Sequence, residues 1–264
     1  MDGGQTLKRG LFRALLVAAT GLAVTVMAGL LLSQVAYAGL EKPLASLLRP
    51  EVFHALFLSC ILATAAAVIA LALAIPSAYL LARRAFPGRI LVDTLLDLPV
   101  VLSPLAVGFS LLLFFRTAPG SFIETHLMRF VFEPAGIVLA QAILAYAVAV
   151  RVLKTAFEEV EPRYEQVARL MGCTPFMAFR KVTLPMARPG VVAAAVLGWG
   201  RAVGDFGATV MVGGAVAGKT ETVPVAIYLR LASVDIAQAV GLMLVLTAAA
   251  LAVLLLVRLT GRAP

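Results

Sequence analysis

Charge is scarce in this chain: only 14% of its 264 residues are Asp, Glu, Lys or Arg, against about a quarter in soluble domains. With 62% of residues hydrophobic, too little polar surface is available for an ordinary water-facing fold, which argues against a soluble globular protein. Cysteine is rarer still. Cys60 lies in an apolar run and Cys173 in a polar one, so there is no disulfide framework and no CxxC motif. His54 and His126 stand alone, which leaves no metal-ligand cluster; each reads as a solvated or interfacial side chain. No internal repeat is visible, so an inverted-repeat transporter gains no support. The net charge of +8 does not point to nucleic acid. Its basic residues gather at the ends of apolar runs in alternate loops, as a bilayer sorts positive charge.

What the chain has instead is long apolar stretches, with a mean hydropathy of +1.01. At about 20 residues per span there is room for about five to seven helices and little else. The first run follows Lys8, Arg9 and Arg13 and ends near Leu32. It resembles a signal peptide in outline, but at about 20 residues it exceeds a usual signal core and reads as an uncleaved span. Ser33–Glu51, with Pro43 and Pro50, reads as a loop. Further spans are expected at Phe53–Ala82 (kinked by Pro76), Leu91–Phe115, Ala135–Val152, Val191–Val212 and Ile236–Val257. Pro99 and Pro104 interrupt the third, as simple bends or as lining of a pathway where freed carbonyls meet water. A short helix is expected around Glu124–Phe132.

Six spans with the N-terminus inside put 15 Lys and Arg on the cytoplasmic side and six outside: Lys42, Arg49, Arg116, Arg129, Lys219 and Arg230. That asymmetry predicts an N-in, C-in all-α integral membrane protein. Residues 1–52 form the N-terminal segment, first span and outer loop. Residues 53–257 form the core, and 258–264 a basic cytoplasmic tail with Arg258 and Arg262.

The most polar stretch lies within 158–190 and falls in the cytoplasm on this topology. Pro162 suits a first helical turn, with Glu158, Glu159 and Glu161 near its positive end. Val167, Leu170 and Met171 make a short apolar stripe. Gly172 is placed for a left-handed C-cap, Thr174-Pro175 for an N-cap and restart before Phe176 and Phe179, and Leu184-Pro185 for a stop. Helix, glycine turn, helix and proline stop describe a rigid knob; an amphipathic hairpin lying on lipid is the alternative.

From Glu165 through Gly172 to Val182-Thr183-Leu184-Pro185 this run resembles the EAA motif of permease subunits of binding-protein-dependent ABC importers. The nine residues between Gly172 and Val182, the Leu184-Pro185 pair and Ala168 match the motif. Gln166 and Val167 depart from it, with Glu165 one place earlier than usual. The resemblance covers roughly Phe53–Val257 and implies the type I importer transmembrane fold with six helices. It also implies that Glu165, Ala168, Gly172, Val182, Leu184 and Pro185 belong to a loop seated in a groove of a cytoplasmic ATPase subunit, two of which would drive a pair of permeases. ATP hydrolysis would then lie on another chain, and this one would need no cofactor.

The segment Gly198–Tyr228, GWGRAVGDFGATVMVGGAVAGKTETVPVAIY, is similar to the corresponding region of molybdate, tungstate and sulfate permeases, with Asp205 where glutamate is usual. The molybdate branch is matched best. This implies a homodimeric permease in a bacterial or archaeal cytoplasmic membrane, fed by an extracytoplasmic oxyanion-binding protein. Arg201 and Asp205, four apart near the middle of the expected fifth span, are either a self-neutralising helical pair or a translocation site for a dianion. Asp93 and Asp97 read as favouring the start of the third helix.

Gly213–Thr220 satisfies the phosphate-loop pattern GxxxxGK[ST]. That mechanism requires a preceding strand and a following helix, whereas here a span precedes the pattern and Pro224 follows it. Lys219 is read instead as facing the binding protein or the entering anion. An ion-coupled secondary transporter would leave the knob unexplained. An intramembrane enzyme would need an acid pair, a Ser/His arrangement or a metal set that the spans do not contain, and a channel would not need the Gly172-to-Pro185 spacing.

Overall fold

Alanine governs how these helices pack. In the computed structural model, which describes the backbone of residues 3–38 and 50–260 and the side chains of 12–37 and 50–255, the helix Pro50–Arg83 buries Ala55, Ser59, Leu62, Ala63, Ala66, Ala70, Ala74, Ala78 and Leu81. Small side chains at helical spacing let backbones approach closely where no hydrophobic force drives association. The partner is Pro134–Glu159, whose buried face includes Gly136, Ala140, Ala145, Ala149, Leu153 and Phe157.

In chain order the helices are α1 (Gly3–Ala38), α2 (Pro50–Arg83), α3 (Arg89–Val101), α4 (Pro104–Arg116), α5 (Ala118–His126), α6 (Pro134–Glu159), α7 (Pro162–Leu170) and α8 (Pro175–Ala178). A π turn, Phe179–Thr183, leads to α9 (Leu184–Met186), α10 (Arg188–Val203), α11 (Gly207–Gly213), α12 (Val223–Ala232) and α13 (Ile236–Thr260). Among the described residues, four helices are long and apolar enough to span a bilayer, and up to six spans result if each sharply bent pair counts as one. The core is α2, α6 and α10, with α4 and α11 against one side of α6; α1 packs on α13 and stays unburied along its apolar length.

Several expected boundaries move. The third span is two helices meeting at 113°. Pro104 has no N–H and drives the residue before it out of the helical region: Ser103 is extended (ψ 144°) and its hydroxyl caps α4 by accepting from Ala106 N at 3.3 Å. Pro99, by contrast, is absorbed within α3. The fifth span ends at Val203, nine residues short of Val212, because Gly204–Phe206 break the helix before α11. The fourth runs to Glu159 rather than Val152, since Arg151 and Lys154 pair with Asp97 and Asp93, each at 2.6 Å. Those aspartates therefore serve as cross-helix partners rather than as charges at the start of α3.

The helix expected near Glu124–Phe132 lies earlier, at Ala118–His126. It stops because Glu124 folds over its end and accepts from Phe130 N and Val131 N at 2.7 and 3.0 Å. Ser33–Ala38 continues α1 and Pro50 starts α2, while Lys42, Pro43, Arg49 and Arg262 lie outside the described residues. Leu184-Pro185 does not stop the chain. The two residues form the first turn of α9, and the turn falls at Ala187 (φ −82°, ψ 5°).

Candidate functional site

Two polar constellations stand out against the apolar bundle. The first is the knob at 158–190. α7 ends in the two bonds of a Schellman turn, Cys173 N to Ala168 O at 3.1 Å and Gly172 N to Arg169 O at 3.0 Å. Gly172 takes φ +92°, the left-handed conformation that glycine adopts without steric cost. Thr174 then caps α8, its hydroxyl accepting from Met177 N at 3.3 Å. Each of these local signals was readable beforehand.

The knob has two unlike faces. Outward, Leu170 and Met171 are 88% and 81% exposed, with Tyr164, Val167 and Phe176 also exposed. Arg163, Arg169, Arg180 and Lys181 are exposed on the same segment. Inward, Ala178 and Thr183 are fully buried, and Phe179 packs on Tyr79 with the rings tilted at 54° and their centroids 4.5 Å apart. Ala168, Val182 and Leu184 are half-buried beneath the outer face, whereas Gly172 and Pro185 are exposed.

Glu165 belongs to the inward face. Its Oε1 accepts from Arg83 Nε at 2.8 Å and from the Thr183 hydroxyl at 2.6 Å, and its Oε2 accepts from the Tyr79 hydroxyl at 2.8 Å. Arg83 also donates from Nη2 to Val160 O at 2.7 Å. Burial pushes the Glu165 carboxyl up, but the hydrogen bonds from Thr183, Tyr79 and Arg83, with the Arg83 charge, outweigh it and hold the pKa below the ordinary glutamate value. Arg83, Tyr79 and Thr183 carried no sequence signal. Nor did the ladder Arg89–Glu158, Lys154–Asp93 and Arg151–Asp97 between α3 and α6, beyond the helical spacing of Asp93 and Asp97 on one side and Arg151 and Lys154 on the other.

The second constellation is the break after α10. Arg201 Nη1 donates to Asp205 Oδ1 at 3.1 Å, as the spacing of four suggested, yet Asp205 is not helical. It sits in the break, 1% exposed, and its Oδ2 accepts from Thr209 N and Oγ1 at 2.9 and 3.0 Å, tying down the first turn of α11. Gln141 on α6 joins through Nε2 to Thr209 Oγ1 at 3.2 Å, and its own Oε1 finds no partner. The side chain of Arg201 is 30% exposed, so a charged donor stays reachable beside a buried carboxylate.

At the opposite end of the bundle from the knob, Lys219 is paired with Glu133. His54 Nε2 lies 3.0 Å from Gly218 O, and Ser59 Oγ accepts from Val223 N at 2.8 Å. A helix, α11, precedes Gly213–Thr220, and the next helix begins only at Val223. A helix therefore stands where the strand would be, and turns stand where the phosphate-cradling helix N-terminus would be. Among the described residues, no three His, Cys, Asp or Glu side chains are grouped as metal ligands.

A bent helical bundle with an exposed knob between two core helices is the arrangement that the resemblance of the 158–190 segment implied. A family model described as binding-protein-dependent transport system inner membrane component matches residues 70–263, and the chain belongs to that family of ABC importer permeases. The molybdenum transport system permease protein ModB of Haemophilus influenzae is 36% identical over 179 residues, 66% of this chain and 77% of that protein. ModB of Escherichia coli K12 is 36% identical over 184 residues, 68% and 79%. The sulfate transport system permease protein CysT of Salmonella typhimurium is 32% identical over 208 residues, 78% and 75%. In fold the chain is similar to the crystal structure of a bacterial ABC transporter involved in the import of the acidic polysaccharide alginate. The TM-score is 0.76 at 14% identity, covering 98% of this chain and 97% of that one.

Proposed function

We propose that this chain is the permease of an ATP-driven importer for a tetrahedral oxyanion, molybdate or tungstate, working as a homodimer with two cytoplasmic ATPase subunits. The observation that carries the mechanism is the outer face of the knob. Leu170 and Met171, 88% and 81% exposed, stand on a helix–glycine–helix mount whose other face is buried. A stiff mount bearing large exposed apolar side chains, with Arg163, Arg169, Arg180 and Lys181 exposed on the same segment, fits a groove with an apolar floor and acidic side chains. The excess of basic residues at that end of the bundle supports its placement in the cytoplasm, with both termini inside.

For the anion, Arg201 supplies charge and Asp205 fixes its direction. A dianion passing the break would meet guanidinium N–H groups that the single bond to Asp205 leaves free, in a surrounding where charge is weakly screened. The ModB relatives support molybdate. A sulfate permease is the second reading, favoured by the similarity to CysT over 78% of this chain. Uptake of labelled molybdate into proteoliposomes holding the complete complex, with tungstate and sulfate as competitors, tests both. Competition by tungstate at equal concentration and none by sulfate supports the first reading, and uptake of sulfate without molybdate replaces it with the second.

A further inference from the structure

The knob joins covalently to α6 at one end and, through α9, to α10 at the other. α2 has no such link, although it runs the length of the core against α6. Among the described residues, the polar link between the knob and α2 is a single joint. Glu165 receives Arg83 and Tyr79 from the last two turns of α2 and Thr183 from the π turn, at 2.6–2.8 Å. Arg83 reaches past it to Val160 O, the residue from which the chain leaves α6. The pair is nearly closed to water, with the Arg83 and Glu165 side chains 9% and 14% exposed. It is backed by a triangle of rings, Tyr79 lying 4.5 Å from Phe179 and 5.9 Å from Phe157, with Phe157 and Phe179 6.0 Å apart.

We propose that Glu165 is a positioning residue that pins the knob to the end of α2, so that a push on the knob moves α2, α6 and α10 as one body. The proposal rests on the reading of the knob as the ATPase contact and adds the route by which its motion enters the membrane. A shielded, hydrogen-bonded ion pair resists sliding in a way that a solvated one does not. Without it, the knob would hold α2 by apolar packing alone, and α2 could slip along its smooth alanine stripe. Glu165 is thereby committed to its own chain rather than offered to a partner.

The test uses the full complex, permease with its ATPase and binding protein, in proteoliposomes, and reads labelled molybdate taken up per ATP hydrolysed. Glu165→Gln and Arg83→Leu are expected to lower that ratio at least about tenfold while the ATPase still co-purifies. The swap Arg83→Glu with Glu165→Arg is expected to recover part of the loss. An unchanged ratio in both single variants overturns the proposal, as does loss of the ATPase from Glu165→Gln alone, which would make that carboxylate a partner contact. Should the single variants fail to assemble, a second arm replaces Cys60 and Cys173 with serine and joins Arg83→Cys to Glu165→Cys with a short bifunctional thiol reagent. Coupling that survives the link supports a joint that moves rigidly, and coupling abolished by it refutes one. Leu170→Asp separates the underlying reading. If that variant keeps both ATPase and uptake, the knob is not the contact; if it loses the ATPase while the Glu165 variants stay coupled, only the pin is wrong.

Discussion

Two shielded carboxylates, Glu165 and Asp205, each hold an arginine, and they do opposite jobs. Asp205 closes a local circuit: its partners Arg201 and Thr209 lie four residues to either side, so it secures a helix break that its own neighbourhood created. Glu165 closes a long circuit, with Arg83 and Tyr79 at separations of 82 and 86 residues, and so joins elements that the chain itself does not. A local pair shapes a helix end, whereas a distant pair decides which helices move together. The first leaves its arginine accessible to an ion, and the second leaves almost nothing of its arginine exposed.

The largest effect is expected at Arg201. Arg201→Ala is expected to abolish molybdate uptake in vesicles while the complex still assembles on a native gel, because the charge is removed but the Asp205–Thr209 bonds that hold α11 remain. Normal uptake would reduce the pair to a helix-end device. Next in size is Glu165→Gln, expected to cost the isolated permease about 3 kcal/mol, the low end for breaking one side of a buried pair, read as loss of thermal stability in detergent. The same joint responds to acid. The carboxyl's folded-state value is depressed, so its stabilisation is complete above the ordinary value of 4.5 and is lost as pH falls through the lower folded value. Hydrogen exchange across residues 162–184 is expected to stay constant from neutral pH down to that point and to accelerate below it, after correction for the intrinsic rate.

Smaller effects sharpen the contrast. Gly172→Ala meets no atom within 4 Å and carries only the cost of φ +92°, about 1 kcal/mol; a larger fall in stability would mean the turn is packed more tightly than described. Lys219→Met removes a half-exposed pair with Glu133 and is expected to change stability by less than about 1 kcal/mol. ATPase stimulation by the loaded binding protein is expected to stay as it was, and a lost response would give Lys219 a role at the entrance.

The same division explains what was legible in the chain. Gly172, Thr174-Pro175 and the spacing of Arg201 and Asp205 act within a turn or two, and each was readable from the residues themselves. Pro104 announced an interruption but not its size. The 113° bend depends on the Ser103 cap and on the close approach of Gly207, where a Cβ would come within 2.9 Å of Pro104. The Glu165 joint and the α3–α6 ladder were hidden because a carboxylate in a polar segment looks the same whether its partner is water, another protein or an arginine far earlier in the chain. The break at Asp205 was missed for a related reason. In a run of Gly, Ala and Val, hydropathy stays high across a turn, and only the side-chain bonds to Thr209 show where the helix ends.

In the proposed function the knob faces the cytosol and meets the ATPase there. A single thiol at its tip tests this most directly: Met171→Cys with Cys60 and Cys173 replaced by serine, treated with a membrane-impermeant maleimide in oriented vesicles. Labelling is expected only from the cytosolic side in the permease alone, with protection of that thiol when the ATPase subunit is bound. Labelling from the outer side, or equal labelling with and without the ATPase, would contradict it.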